Sequence, residues 1–524
     1  MPKPYTYSES DLEVAALEWF AEIGYETVGA PEISPGGDYP EREDYGDVIL
    51  RERLLDALRR NNPHLPENAI DDAYRQIAVP QSPSLLMNNK AFQKMTADGA
   101  DVSVRQPDGS FKTEKAVIFD FENPQNNNFL SANQFTVIEN RIEKRSDIVI
   151  FINGLPLAVF ELKSASDENV DISDAYNQLQ NYKTIIPSLF TYNACMVISD
   201  GNARVGSLSA NEDRFMMWRT IDGDEIAAAS VPQLEVLIKG IFQKERFLDI
   251  IRSFILFQSD GKEIYKIFAG YHQYHAVNKA VESTIRATME SGDRRIGVVW
   301  HTQGSGKSLS MVFYVGKLVV CEELNNPTIV VITDRNDLDD QLFSTFYKSR
   351  EFLRCEPQQA KDRANLRELL NNRTSGGIIF TTIQKFEPDE SDKDSLLNDR
   401  KNIIVIADEA HRSQYGFAAE ISKSKDEASV KYGYAKYMRD SLPNASYIGF
   451  TGTPVELTDK NTRAVFGDYI DIYDMTRAVE DGTTVKIYYE SRIAKLELPE
   501  DLKPKIDSEY EHYGISGIYA ERKT

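Results

Sequence analysis

The feature that most constrains the fold of this chain is a series of short apolar strands that recurs beyond Tyr271. These strands read IGVVWH, TIVVIT, GIIFTT, IIVIAD and SYIGFT, and helical or polar segments separate them. Strands that are apolar along their whole length are typical of a parallel sheet, because helices cover both faces of such a sheet. The alternation therefore predicts an α/β domain built on a parallel sheet.

A glycine-rich loop follows the first of these strands and precedes the apolar helix LSMVFYVGKLVV. Strand, glycine loop and helix in this order are the context of a P-loop, in which backbone N–H groups and the helix N-terminus bind phosphate. Lys307 can reach the β- and γ-phosphates of ATP, and Ser308 can ligate Mg²⁺. We expect the loop to bind ATP through Thr302, Gly304, Ser305, Gly306, Lys307 and Ser308.

Two acidic residues, Asp408 and Glu409, follow the apolar residues IIVIA. Asp408 suits coordination of Mg²⁺ through water, and Glu409 suits the task of orienting and deprotonating the attacking water. A helix cap would explain Asp408 alone. It does not explain two acids directly after a buried strand and downstream of a P-loop. The pair therefore predicts the hydrolytic half of an ATP site.

TQGSGKS, TDRNDLDDQ, TTIQKF, DEAHR and FTGTP follow one another in the order and at the spacing of the motifs of superfamily 2 helicase-like motors. This part of the chain resembles that family. The resemblance implies that His411, Thr451 and Thr453 couple the nucleotide state to the grip on DNA. It also implies that Arg335 and Thr382 lie near the strand along which the motor moves.

Upstream of the P-loop, YHQ at 271–273 resembles the element with which these motors read adenine. By this resemblance, Gln273 would form hydrogen bonds with the base. An ordinary exposed glutamine is the alternative for this position. His301 and His411 border the predicted ATP site. The other four histidines show no spacing that is typical of a metal site and are better explained by structural roles: His64, His272, His275 and His512.

A second candidate site lies in the segment SDIVIFINGLPLAVFELK, which reads as two apolar strands joined by an Asn-Gly turn. Asp147 begins the first strand. Glu161 and Lys163 end the second on one face, because residues two apart on a strand point the same way. The hairpin would bring Asp147 and Glu161 together as oxygen ligands of Mg²⁺. Lys163 could then orient a metal-bound water and offset developing negative charge.

The ExK stretch taken alone could equally be a solvated strand edge. The apolar strands around it and the pair Gln178 and Tyr182, which lie one helical turn apart, favour a functional site. The D…ExK pattern resembles the core of PD-(D/E)xK nucleases. The QxxxY spacing resembles an additional motif found in the members of that family that belong to DNA-processing motors. Glu139 could be a further metal ligand or a surface acid.

The net charge of −22 opposes long-range attraction to DNA, whose phosphates need cations. Basic residues in a confined channel would remove the conflict, and a protein that never contacts nucleic acid is the alternative. No stretch approaches the ~20 apolar residues of a membrane helix, and the start does not resemble a signal peptide. Three scattered cysteines argue against disulfides and cysteine-bound zinc, and they fit a reducing cytoplasm.

A nuclease core ahead of a DEAH-type motor resembles the restriction subunit of type I restriction-modification enzymes, and INGLPLAVFELK is similar to a stretch of that family. The resemblance starts at about Asp11 and covers nearly the whole chain. It implies ATP-dependent translocation on double-stranded DNA, Mg²⁺-dependent cleavage away from the recognition site, and a complex with modification (methyltransferase) and specificity subunits. It also implies a shortened motor that binds nucleotide weakly and lacks DNA-driven translocation.

We expect four segments: a PD-(D/E)xK endonuclease domain over 1–232, a helical connector over 233–270, a first RecA-like motor domain over 271–470, and the start of a truncated second one over 471–524. Two other functions stay open. A DEAH-type helicase acting on RNA or DNA would share the motor motifs but would give Asp147, Glu161 and Lys163 no role. A non-catalytic scaffold would need degenerate sites, and no site residue is visibly degenerate.

Overall fold

The structure is a computed structural model that describes residues 8–164, 171–223, 225–333, 336–387, 395–410, 420–423, 428–431, 434–453 and 460–484. The chain divides into two compact units, 1–484 and 485–524, and all described residues belong to the first unit. Within the described ranges, no helix is both long enough and apolar enough to cross a membrane.

The N-terminal part is built around one mixed sheet. Its elements are α1 (Glu9–Glu22), β1 (Glu26–Gly29), α2 (Ala30–Ile33), α3 (Arg51–Asn61), α4 (Glu67–Ala78), α5 (Leu85–Asp98), β2 (Ala100–Arg105), β3 (Phe111–Ala116), β4 (Phe129–Glu139), β5 (Ile142–Ile152), β6 (Leu155–Leu162), α6 (Ile172–Ile185), β7 (Cys195–Ser199) and β8 (Ala203–Gly206). Six strands form the sheet in the order β1-β4-β5-β6-β7-β8, and β2 and β3 form a separate hairpin. The pairs β1–β4 and β6–β7 are parallel, while the other neighbours are antiparallel.

The β5–β6 hairpin turns at Asn153 and Gly154, as the sequence predicts. Both residues have positive φ angles, 51° and 77°, which is the turn geometry that suits the twist of two paired strands. Glycine is required at the second position, because a Cβ atom there would lie 2.3 Å from the carbonyl oxygen of Leu50. One expectation is wrong. β5 already begins at Ile142, because 142–146 pair with β4, so Asp147 lies within the strand and not at its start.

The connector is helical only in its first two elements, α7 (Gln233–Ile241) and α8 (Lys244–Ser253). The strands β9 (Ile255–Ser259) and β10 (Ile264–Phe268) follow and pair as an antiparallel hairpin, so the predicted all-helical connector is wrong here. The apolar run FILF fits a buried strand as well as a helix, and pairing with β10 decides between them. The connector packs on the N-terminal part, since the ring of Phe242 lies 5.3 Å from that of Phe160.

The motor part alternates helices and parallel strands as predicted. Its elements are α9 (Tyr271–Thr288), β11 (Arg295–His301), α10 (Lys307–Val320), β12 (Thr328–Thr333), α11 (Asn336–Lys348), β13 (Gln358–Gln359), α12 (Arg363–Asn371), β14 (Ile378–Thr382), β15 (Ile403–Ala407), β16 (Glu420–Lys423), β17 (Ala428–Lys431), α13 (Tyr434–Ser441), β18 (Ser446–Thr451), α14 (Lys460–Phe466), β19 (Tyr469–Tyr473) and α15 (Met475–Glu480). Seven strands form a sheet in the order β13-β14-β12-β15-β18-β11-β19. All neighbouring pairs in it are parallel.

Strand β19 belongs to this same sheet, because it pairs in parallel with β11. The backbone N–H of Thr302, just after β11, also donates to the carbonyl oxygen of Tyr473 at 2.9 Å. A domain boundary at residue 471 would cut this strand in two. The predicted boundary is therefore wrong, and the first sheet extends through β19.

We predict that Gly154→Ala lowers the free energy of unfolding by about 3 kcal/mol, because the new methyl group would meet the Leu50 carbonyl in a backbone conformation that favours glycine. Gly109→Ala is the matched control. Gly109 has a φ of 86° and open space around it, so only the conformational cost of about 1 kcal/mol should appear. Urea unfolding followed by circular dichroism measures both changes, and equal losses would contradict the steric explanation.

Candidate functional site

The three predicted nuclease residues meet where β5 and β6 run side by side. The register of the two strands places Asp147 next to Glu161. Asp147 Oδ2 accepts a hydrogen bond of 2.6 Å from the backbone N–H of Leu162, and Lys163 Nζ donates to Glu161 Oε1 at 2.5 Å. The hairpin therefore brings two carboxyl groups and one ammonium group into one cluster, as the sequence predicts.

Burial dominates the electrostatics of this cluster, since Asp147, Glu161 and Lys163 are 6%, 0% and 9% exposed. Loss of hydration raises the pKa of Asp147 to about 7. Loss of hydration and the nearby charge of Asp147 raise the pKa of Glu161 to about 8. Burial acts to lower the pKa of Lys163, but its hydrogen bond to Glu161 and the surrounding carboxylates outweigh burial and raise it. The carboxyl groups of Asp147 and Glu161 therefore need a further cation, in addition to Lys163, to be ionised together near neutral pH.

Helix α1 adds two acidic residues that the sequence analysis missed. Oxygen atoms of Glu9, Glu13 and Asp147 all lie within 4.8 Å of one another. The helix begins in a capping box between Ser8 and Asp11, which fixes its first turn. Because Glu9 and Glu13 are one helical turn apart, both lie on the face directed at Asp147. Their spacing directly after an N-cap is the only signal in the sequence, and it is common on ordinary helices.

The donor set fits a hard divalent cation. Glu161 Oε2 is buried and has no hydrogen-bond partner among the residues that the structure describes. A buried carboxylate oxygen without a partner is costly, and a cation bound there would remove that cost. Carboxylate oxygens are also the ligands that Mg²⁺ prefers. Asp147 lies next to Glu161 in the sheet and close to Glu9 and Glu13 of α1. It can therefore share a bound cation with Glu161 or with the two glutamates of the helix.

Glu139 takes a structural role. Its carboxylate accepts hydrogen bonds from the backbone N–H and the hydroxyl of Ser188, at 3.3 and 2.8 Å. It lies at the end of β4 and pairs with Ile142, far along the strand from Asp147. The sequence left open whether Glu139 is a metal ligand or a surface acid, and these contacts favour the surface acid.

Gln178 and Tyr182 contact each other on α6, as their spacing predicts. Gln178 Nε2 donates to the Tyr182 hydroxyl at 2.6 Å, and that hydroxyl donates to the Arg145 carbonyl oxygen at 2.8 Å. Burial raises the pKa of Tyr182, and the negative charges of Glu161 and Asp147 raise it further. The pair therefore ties α6 to β5 beside the acidic cluster.

The predicted P-loop connects β11 to α10. Gly304 and Gly306 have φ angles of 85° and 81°, in the region that glycine adopts without steric cost. The Ser305 hydroxyl donates to the Thr302 carbonyl oxygen at 2.7 Å, which closes the loop. Ser308 lies in the first turn of α10, which starts at Lys307. The backbone therefore has the form that lets N–H groups surround phosphate.

Lys307, Asp408 and Glu409 converge at the carboxyl edge of the motor sheet. A Cβ atom on Gly452 would lie 2.8 Å from Lys307 Nζ, and the Gly452 N–H donates to Glu409 Oε2 at 3.4 Å. Burial lowers the pKa of Lys307, and the carboxylates of Glu409 and Asp408 act against this shift. These motifs meet because β15, β18 and β11 are neighbours, so that their carboxyl ends share one edge.

The predicted coupling residues are only partly described. Thr451 ends β18, and its hydroxyl forms hydrogen bonds with the carbonyl oxygen and the N–H of Thr453, at 3.1 and 3.3 Å. Thr382 ends β14 and is buried. His411 and Arg335 lie outside the described residues.

Gln273 is buried at the start of α9 and contacts the P-loop. Its side-chain oxygen accepts from the Gly270 N–H at 2.9 Å, and its Nε2 donates to the Gly306 carbonyl oxygen at 3.1 Å. A ring nitrogen of His272 forms a hydrogen bond of 2.9 Å with the Ser305 carbonyl oxygen. The alternative of an exposed glutamine is therefore wrong, and the reading of adenine by Gln273 stays a prediction.

We predict that the cation-free protein loses stability as the pH rises from about 5 to about 8. The raised pKa values of Asp147 and Glu161 mean that the folded state binds more protons than the unfolded state, whose carboxyl pKa values are about 4. The free energy of unfolding then falls with rising pH across this window. Glu161→Gln should flatten the fall in urea unfolding measured with a chelator present. Glu143→Gln, on the exposed part of β5, is the control, and an unchanged slope in Glu161→Gln would contradict the assignment.

Both parts of the chain match known families. Residues 6–214 match the family model described as type I restriction enzyme R protein N terminus. Residues 272–520 match the model described as SWI2/SNF2 ATPase.

Individual relatives match across both parts. The HindI type I restriction enzyme endonuclease subunit of Haemophilus influenzae is 48% identical over 490 residues, which cover 92% of this chain and 46% of that protein. The MjaIXP type I restriction enzyme endonuclease subunit of Methanocaldococcus jannaschii is 38% identical and covers 95% of this chain and 47% of its own length. A fragment of an HsdR subunit from Vibrio vulnificus YJ016 is 16% identical, with a TM-score of 0.27 over 67% of this chain and 56% of the fragment.

The chain spans about half the length of the curated relatives it matches. The matched residues of this chain include the N-terminal mixed sheet with the acidic cluster and the parallel sheet with the P-loop. The chain therefore belongs to the family of type I restriction enzyme endonuclease subunits, of which it carries the R-protein N-terminal domain and a SWI2/SNF2-type ATPase region.

Proposed function

We propose that the N-terminal part cuts double-stranded DNA in a Mg²⁺-dependent reaction, and that the motor part binds ATP and contributes to ATP-dependent movement along the duplex. The observation that carries the proposal is the meeting of Asp147, Glu161 and Lys163 in one buried cluster. Cleavage away from the recognition site would follow from the coupling of the two parts. The proposal assigns 1–232 to the endonuclease and the P-loop sheet to the first RecA-like motor domain.

The residues of the cluster suit cleavage of a phosphodiester bond. Asp147 and Glu161 would hold Mg²⁺, which lowers the pKa of bound water and polarises the phosphate. Lys163 can orient the attacking water through one of its three N–H donors and offset the negative charge that develops on phosphate. The exclusion of solvent around Glu161 strengthens each of these electrostatic interactions.

The residues of the P-loop edge suit ATP hydrolysis. Lys307 and the N–H groups of the loop would bind the β- and γ-phosphates, and Ser308 with Asp408 would hold Mg²⁺. Glu409 can orient the attacking water and accept its proton. The bond between the Gly452 N–H and Glu409 brings the Thr451 and Thr453 loop to this carboxylate, so the loop can respond to the nucleotide.

We further propose the partners and place of action that the family resemblance implies. The chain would assemble with a modification (methyltransferase) subunit and a specificity subunit, and the specificity subunit would supply target recognition. Double-stranded DNA would be the substrate, and the cytoplasm would be the site of action.

Lys163→Ala should reduce Mg²⁺-dependent cleavage of plasmid DNA by at least about 100-fold, since a donor to the developing charge is lost. The protein should keep its fold and its nucleotide binding, because the motor site lies on a separate sheet. Lys112→Ala is the matched control, since that lysine lies on the exposed β2–β3 hairpin. Gel electrophoresis of plasmid cleavage with Mg²⁺ and with chelator measures the effect.

DNA cleavage, RNA unwinding and Mg²⁺ binding together separate the rival functions. Intact DNA in the wild-type reaction, together with strong unwinding of duplex RNA, would favour the RNA helicase. Failure of Mg²⁺ to bind the wild-type cluster in calorimetry would favour a non-catalytic scaffold. Equal cleavage by wild type and Lys163→Ala would contradict the proposed role of this lysine.

Lys307→Ala should weaken ATP binding by roughly tenfold to a hundredfold, because charge-assisted contacts with phosphate are lost. A fluorescent ATP analogue and fluorescence anisotropy measure the affinity. Lys112→Ala again provides the control, and it should bind as the wild type does. Unchanged affinity in Lys307→Ala would show that the loop does not bind nucleotide as proposed.

A further inference from the structure

We propose that Gln134 is a positioning residue that holds the Glu13 carboxylate of α1 at the cation site. The inference rests on the proposed nuclease function. Gln134 lies in β4 and contacts Glu13 from an unusual backbone conformation.

Gln134 lies directly across from Asp147 in the sheet. The β4–β5 register pairs Asn133 with Ile148 and Phe135 with Ser146, so the intervening residue of β4 faces Asp147 on β5. Gln134 itself has a φ of 58° and leaves the ladder at this point. A left-handed conformation in the middle of a strand is uncommon for any residue but glycine. Such strain persists where the surrounding structure enforces it, and it is concentrated at functional sites.

The conformation places the Gln134 side chain against Glu13. Its Nε2 lies 2.7 Å from each of the two carboxylate oxygens of Glu13, so the amide donates to the whole carboxylate group. Asn133 adds a longer contact, with its Nδ2 at 3.2 Å from Glu13 Oε2. Glu13 is 6% exposed and lies with Glu9 and Asp147 in the group of oxygens within 4.8 Å of one another.

These contacts set the position of Glu13 when no cation is present. Glu9, Glu13 and Asp147 would otherwise repel one another, and the helix side chains could turn away towards water. Amide donors to Glu13 oppose that repulsion without adding a competing positive charge. Residues that orient metal ligands in this way commonly change metal affinity 10- to 100-fold when they are replaced.

The test measures binding of Mn²⁺ by electron paramagnetic resonance, with Asp147→Asn as the background for cations bound elsewhere. Gln134→Gly removes the amide but suits the positive φ, so the cation-free protein should keep its fold. We expect its affinity for Mn²⁺ to fall by about tenfold. Asn140→Gly is the matched control, because Asn140 has a φ of 51° in the exposed β4–β5 turn, and its affinity should stay unchanged.

A double-mutant cycle distinguishes positioning from a general effect on the strand. If Gln134 acts through Glu13, then adding Gln134→Gly to Glu13→Gln should cause no further loss of Mn²⁺ affinity. A full additional loss would overturn the inference, and so would an affinity of Gln134→Gly equal to that of the wild type. Gln134→Asn is the second variant in case glycine loosens the strand. Asparagine tolerates positive φ but carries its amide on a shorter side chain, so the affinity for Mn²⁺ should fall here as well.

The outcomes also separate this inference from the proposed function. Absence of Mn²⁺ binding above the Asp147→Asn background in the wild type would overturn both the nuclease proposal and the role of Gln134. Binding in the wild type together with equal binding in Gln134→Gly would overturn only the role of Gln134.

Discussion

Two carboxyl groups held side by side out of water are the interaction on which the N-terminal part depends. Asp147 and Glu161 are buried on adjacent strands, and each accepts a short hydrogen bond, Asp147 from the Leu162 N–H and Glu161 from Lys163. Loss of hydration raises the pKa values of both groups, and the charge of Asp147 raises that of Glu161 further. The turn at Asn153 and Gly154 closes the hairpin, and a register shift between Ile150 and Phe151 sets Asp147 beside Glu161.

The candidate site of the motor part is assembled in a different way. Its reactive groups come from loops far apart in the sequence, and neighbouring parallel strands bring those loops to one edge of the sheet. The two motifs lie close together at Gly452, where a Cβ atom would be 2.8 Å from Lys307 Nζ. Glycine at this position thus leaves room for the Lys307 ammonium group and the Glu409 carboxylate, which come from two motifs, to lie close together.

Much of both sites could be predicted from local patterns. The Asn-Gly turn predicts the β5–β6 hairpin, and a strand followed by GxGKS predicts the P-loop, so neither needs knowledge of distant contacts. The register shift between Ile150 and Phe151, which sets Asp147 beside Glu161, could not be predicted from the turn. Glu9 and Glu13 could not be predicted, since more than 100 residues separate them from Asp147 and acids one turn apart are common on exposed helices. The φ angle of Gln134 has no signature in its residue type. The run FILF and the membership of β19 in the first sheet depend on pairing partners, which periodicity does not identify.

The hydrogen bond between the Thr302 N–H and the Tyr473 carbonyl has a mechanical consequence. Among the described residues, β19 is an edge strand of the motor sheet and pairs with β11. The hydrogen bond connects this edge strand to the first residue of the phosphate-binding loop. A displacement of β19 would therefore also displace the start of that loop.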